Sequence, residues 1–236
     1  MKVTKNSFVF ILVITYNIHM KEDLFVLLGD VISSKKLKHR EDFQNKLING
    51  CNIVNKKYKP DIYSYMNIIK GSDEIGVVLK DISKFYSIII EISKTIGSNL
   101  MRFVLVKGQI DTGLNQREIS RMDGPAFHNA SNLMNKLKDE KLIFKMDTND
   151  LIFDKLVTNN INLIYLIEKK WSSKKITIIN EYEKTRDQQR VAEKYGVKQQ
   201  DVSYHLNSSN YGEIRNIKND LEFVIKSYGQ GETPRW

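Results

Sequence analysis

The chain has 236 residues, 41% hydrophobic and 28% charged, enough for one large or two small domains with a substantial core. Its formal charge of +9 admits an anionic partner without requiring one. The single cysteine, Cys51, excludes an intramolecular disulfide and a Cys-type zinc site; the four histidines lack metal-ligand spacing, and a reducing, cytoplasmic setting is expected.

Ser7–Tyr16, SFVFILVITY, is strongly apolar but shorter than the roughly 20 residues a membrane-spanning helix needs. No small-residue cleavage site follows it before Met20-Lys21-Glu22-Asp23. Residues 1–19 therefore read as an upstream extension to a chain that starts at Met20, with an extra strand or an amphipathic anchor as the alternative. No membrane partner is expected.

Leu24–Val31 is an apolar run broken by Gly29-Asp30, the pattern of a strand buried on both faces. Behind it come Ser33 and Ser34 and a basic cluster, Lys35, Lys36, Lys38, His39 and Arg40. A carboxylate at a strand exit with cations close behind suits a Mg²⁺-bridged polyphosphate; the alternative is an Asp capping a turn beside a solvated basic face. Residues 1–80 carry 13 Lys and Arg against 8 Asp and Glu, whereas residues 171–236 carry 11 against 9, so the positive excess surrounds this turn.

Phe43, Leu47, Cys51, Val54 and Tyr58 mark one face of a helix that Pro60 ends. Ile62–Ile69 and Ile75–Leu79 read as strands of a hairpin around Gly71-Ser72-Asp73-Glu74. Asp81 is expected to cap a helix with Ile82, Phe85, Ile88, Ile89, Ile92 and Ile96 inward, closed by Gly97. Met101–Ile110 is the next strand, Pro125 starts another helix, and Leu142–Met146 forms an edge strand. Strand, helix, hairpin, helix, strand matches a split βαβ, ferredoxin-like layer. That order sets the end of the first strand beside the hairpin turn and brings Asp30 close to Asp73 and Glu74.

From Ile152 onward the pattern is helical. Leu163–Trp171 reads as an amphipathic spacer or dimerising stem, and Ile176, Ile179 and Tyr182 open a trihelical unit. Within it, QQRVAEKYGV and VSYHL place Ala192 four residues before Gly196, with Val202 and Leu206 pinning the next helix. This is the helix-turn-helix spacing; a trihelical unit that never meets DNA is the alternative. Gln199, Gln200, Ser203 and Tyr204 are left to face a groove, with Arg186, Arg190 and Lys198 for phosphates. Residues 227–236 read as a frayed tail.

The fold expected is thus α/β (α+β): a ferredoxin-like palm over 20–150, a helical connector over 151–170 and an all-α helix-turn-helix domain over 171–236. The run into Gly29-Asp30-Val31 and the Gly71–Ile75 hairpin resemble the palm core of nucleotidyl cyclases, including the GGDEF type. More closely, GDVISSKKL, GSDEI and MDGPAFHNA, followed by a helix-turn-helix, resemble the SatD-like family over roughly Lys21 to Leu206. The resemblance implies Mg²⁺ at Asp30, Asp73 and Glu74. It implies a nucleoside triphosphate or other nucleotide near Ser33, Ser34, Lys35, Lys36, Arg40, Asp123 and His128, and DNA at the C-terminal unit.

Class III cyclases place an asparagine and an arginine four residues apart on the helix that starts here at Pro125. His128 and Asn132 stand at the matching positions, so the cation that would stabilise the transferring phosphoryl group is missing from its usual place. Ser72 likewise replaces the second glycine of the GGDEF-type turn. His128 is expected to be a buried histidine satisfied by a backbone carbonyl. The leading reading is a cytoplasmic, homodimeric, nucleotide-responsive DNA-binding regulator with no assigned catalytic residue. The alternatives are an active nucleotidyl cyclase-type enzyme and a non-catalytic dimerising adaptor.

Overall fold

A computed structural model describes residues 23–34, 39–71, 73–97 and 101–231. The 1–19 extension, Lys35, Lys36, Lys38 and Ser72 lie outside those residues. Five strands, β1 (Leu24–Val31), β2 (Asn67–Lys70), β3 (Glu74–Leu79), β4 (Met101–Gly108) and β5 (Phe144–Asp147), form one sheet in the order β2-β3-β1-β4-β5. β1 is central and antiparallel to both neighbours, β2 is antiparallel to β3, and β5 runs parallel to β4 at the far edge.

The alternation of β1 explains why both faces must be covered. Leu27 and Val31 point to one side with Ile75, Val77, Phe103 and Leu105. Helices α1 (Arg40–Lys57), α2 (Phe85–Ile96) and α4 (Leu151–Glu168) close that side. Leu24, Val26 and Leu28 point to the other side with Val78, Val104 and Val106, where α3 (Pro125–Glu140) lies through Ala126, Ala130, Met134 and Leu137. Side chains that point both ways along one short strand require apolar residues at nearly every position, hence the run-on hydrophobicity of LFVLL.

Three elements depart from expectation. Ile62–Ile69 is not one strand: Tyr63 and Ser64 both donate their N–H to the Val78 carbonyl, and the regular ladder begins at Asn67. The buried Ser64 hydroxyl accepts from Val78 N–H, so this segment satisfies β3 through a side chain where a ladder would have used backbone. α2 begins at Phe85, because the Asp81 carboxylate is engaged by Ser83 N–H in a preceding turn.

The third departure is at the C-terminus. α5 (Ser173–Thr185), α6 (Gln188–Tyr195) and α7 (Gln199–Asn207) share their own small core of Ile178, Ile179, Val191, Ala192, Val202 and Leu206. The last helix, α8 (Tyr211–Gly229), instead sends Ile214, Leu221 and Ile225 into the core beneath the sheet. Residues 227–229 are helical, and Tyr228 stacks on Phe153 of α4 with ring centroids 3.7 Å apart. The frayed segment expected from 227 is therefore anchored at its start by aromatic packing.

Candidate functional site

The first candidate lies at the β1 exit. Asp30 is the direct cross-strand partner of Glu74 on β3 and of Arg102 on β4, so all three side chains leave the sheet on the α3 side. The Asp30 side chain is 13% exposed; Lys138 Nζ, from the last turn of α3, donates to Oδ1 at 2.7 Å, and Arg102 Nη1 lies 3.9 Å from Oδ2. Burial, then the Asp30 charge, pushes the Glu74 carboxyl above its usual range, against the pull of Lys138 and Lys70. Arg102 Nε is buried without a hydrogen-bond partner.

Asp73 lies on the approach to β3, and its carbonyl accepts from Val31 N–H, which locks the hairpin turn to the β1 exit. Among the described residues, no three acidic, histidine or cysteine side chains converge as a metal site. A cation at Asp30 has to displace Lys138. Ser33 follows β1 in a left-handed conformation (φ 56°) and is exposed, Ser34 is half-buried, and Arg40 is exposed at the first residue of α1. Lys138 and Arg102 were missed by sequence reasoning. Arg102 carried a usable signal, since placing β4 beside β1 sets it against Asp30; Lys138 sits three turns along a helix whose tilt the sequence does not give.

Asp123 and His128 sit elsewhere, at the start of α3. Both side chains are exposed (63% and 70%), with His128 Nε2 3.5 Å from Asp123 Oδ1, so the buried histidine expected at 128 is a surface one. Asn132, one turn further along, is exposed too. The MDGPAFH segment acts as a clasp. The Asp123 carbonyl accepts from Asp111 and Thr112 N–H, and its carboxylate accepts from Gly124 N–H at 2.8 Å. Gly124 has φ +152°, and a Cβ there would meet Asp111 N at 2.7 Å. Ala126 packs on Gly108, where a Cβ would come within 3.3 Å. The residues that make this motif distinctive fasten the β4 exit loop to the first turn of α3.

The second candidate is the outer face of α7. Asp187 caps α6 through Gln189 and Arg190 N–H, Gly196 ends it in the left-handed conformation (φ 63°), and Asp201 accepts from Lys198 N–H at the start of α7. Val202 and Leu206 are buried, leaving Gln199, Gln200 and Tyr204 exposed and Ser203 half-buried. Arg190 and Lys198 are exposed beside them. Arg186 is committed within the unit: its guanidinium donates to the Tyr211 hydroxyl at 2.6 Å and lies over the Tyr182 ring. Lys174 and Lys175 of α5, absent from the expected contact set, lie near His205; burial and then these two charges lower the imidazole's proton affinity.

A family model described as the SatD family matches residues 24–220. No curated protein matches the chain.

Proposed function

The chain belongs to the SatD family, and from that premise we propose that it is a DNA-binding regulator whose sheet domain responds to a nucleotide. The observation that carries the reading is the division of α7 into a buried edge, Val202 and Leu206, and an exposed polar edge, Gln199, Gln200 and Tyr204. A helix after a tight left-handed glycine turn, pinned on one edge only, is what a major-groove reader requires. Glutamine amides offer a donor and an acceptor together, which matches adenine, while Arg190 and Lys198 supply phosphate contacts.

The sheet supports the second half of the reading. The order β2-β3-β1-β4 with antiparallel neighbours fits a ferredoxin-like palm, and Asp30 is the penultimate residue of its central strand. Lys138 and Arg102 offer two cations to a polyphosphate, and Asp30 and Glu74 offer oxygens to Mg²⁺ once Lys138 moves. An active cyclase-type enzyme is the weaker reading, because Asn132 carries no charge where that chemistry places an arginine. Fluorescence anisotropy of the full chain with labelled duplex DNA, across a salt series, tests the proposal. Binding that weakens steeply with salt is expected; no binding at any salt concentration contradicts it.

A further inference from the structure

α4 buries one face against the sheet and α8, and among the described residues a second apolar stripe is left uncovered. Ile152 is 73% exposed, Leu156 59%, Leu163 58% and Ile167 37%. At 100° per residue these four fall within about 60° of arc, a single seam along one side of the helix, while the exposed Leu151 and Leu166 lie outside it. Scattered surface leucines need no explanation, but an aligned seam of four does.

The seam is palindromic. Its midpoint lies between Asn159 and Asn160; Leu156 and Leu163 are equally far from it on either side, as are Ile152 and Ile167. An antiparallel copy of α4 laid on this seam therefore sets Leu156 against the partner's Leu163, Ile152 against the partner's Ile167, and amide against amide at the centre. The charged residues at the two ends lie off the seam. Asp150 caps the helix N-terminus and Asp147 is exposed just before it, while Lys169 and Lys170 follow its C-terminus, both exposed. Asp150 and Lys169 are equidistant from the midpoint but lie about 130° of arc from the seam's centre, so they do not meet across it, and the register rests on the apolar residues and the central amides. The helix dipoles favour the antiparallel direction.

The geometry points to α4 as an isologous dimer interface whose occupant is a second copy of this chain, paired antiparallel about Asn159 and Asn160. A two-fold axis with self-complementary partners is what closed homodimers use, and a central polar pair fixes register at some cost in stability. The dimer carries two α7 helices. It does not depend on whether those helices read DNA, so its failure leaves the DNA proposal standing, and the reverse holds too.

Light scattering on the full chain at tens of micromolar should give about twice the 27.5 kDa chain mass. Leu156→Lys with Leu163→Lys puts lysine against lysine and should return the mass to one chain with the folded circular-dichroism spectrum preserved, because both side chains are on the surface. Register is read by cysteine cross-linking with a short bismaleimide. Asn159→Cys lies near the axis and should cross-link to its own copy. Ile152→Cys should not, since an antiparallel register sets the two copies of residue 152 about 22 Å apart along the helix. Cys51 is buried and its thiol is pushed up to about 11 by that burial, so it stays silent. A monomeric wild-type chain overturns the proposal, including the case in which the chain's own Ser7–Tyr16 covers the seam. A dimer unaffected by the double lysine variant, or one that cross-links at 152 but not at 159, overturns it as well.

Discussion

Asp30 and Glu74 are direct cross-strand partners, two carboxylates set against each other on one face of the sheet. Like charges opposed across antiparallel strands destabilise a sheet. Lys138 and Arg102 offset the cost at Asp30, while Glu74 carries the remainder as a raised pKa caused first by burial and then by Asp30. Because its folded pKa lies above its unfolded one, Glu74 contributes stability that is fully present below the unfolded pKa and is lost as pH rises through the folded pKa. Glu74→Gln should therefore be more stable than wild type near neutral pH, with the difference vanishing at about pH 4 and below. Urea unfolding at both pH values checks this, and an equal difference at both would contradict it.

Lys138 holds the Asp30 oxygen at 2.7 Å, so the proposed Mg²⁺ would have to compete with it for that atom. Lys138→Met should tighten Mg²⁺ binding and weaken binding of a metal-free nucleoside triphosphate, while Asp30→Asn should abolish Mg²⁺ binding. Calorimetry with Mg²⁺ alone and with triphosphate alone separates the two. Chromatography of the incubated triphosphates should show no cyclic or linked product. A product formed by wild type and lost in Asp73→Asn would restore the enzyme reading.

Gly124 should tolerate no side chain. At φ +152° an alanine is strained, and its Cβ would press on backbone atoms of Gln109, Ile110 and Asp111. Gly124→Ala should cost about 1–3 kcal/mol of stability, read as a lowered urea midpoint. Asp123→Ala keeps the backbone part of the clasp, including the Asp123 carbonyl's bonds to Asp111 and Thr112, and should cost less.

Asn162 closes the outer edge of β5. Its amide oxygen accepts from Ile143 and Phe144 N–H and its nitrogen donates to the Phe144 carbonyl, the two Phe144 bonds buried and the Ile143 bond part-buried. Asn162→Ala leaves those groups unsatisfied, at about 1–3 kcal/mol for each that water cannot reach. Hydrogen exchange should show faster exchange at Ile143 and Phe144 than at the centre of β1. Unchanged protection there would mean the amide is dispensable.

How far the sequence could be read follows from which forces are local. β1 announced itself because a strand buried on both faces must be apolar at nearly every position, and α6 and α7 did so through Asp187, Gly196, Val202 and Leu206, whose roles depend on near neighbours. The break in Ile62–Ile69 was hidden because the Ser64 hydroxyl competes with the ladder only once β3 is in place. α8 looked like part of the C-terminal unit because nothing local shows that Leu221 and Ile225 reach the core under the sheet. At the β1 exit the acidic pair was legible from strand order, but its counter-charge from α3 was not, since Lys138 and Asp30 are 108 residues apart.

The central claim is that α7 reads DNA. Selection of bound duplexes from a random pool, followed by affinity measurements on the enriched sequence, tests it most directly. The account predicts one enriched motif, a loss of about 1–3 kcal/mol for Gln200→Ala on that motif, and, for Arg190→Ala, a uniform weakening on all sequences with a shallower salt slope. A pool that shows no enrichment, or an enriched site bound equally well by Gln200→Ala, would contradict it.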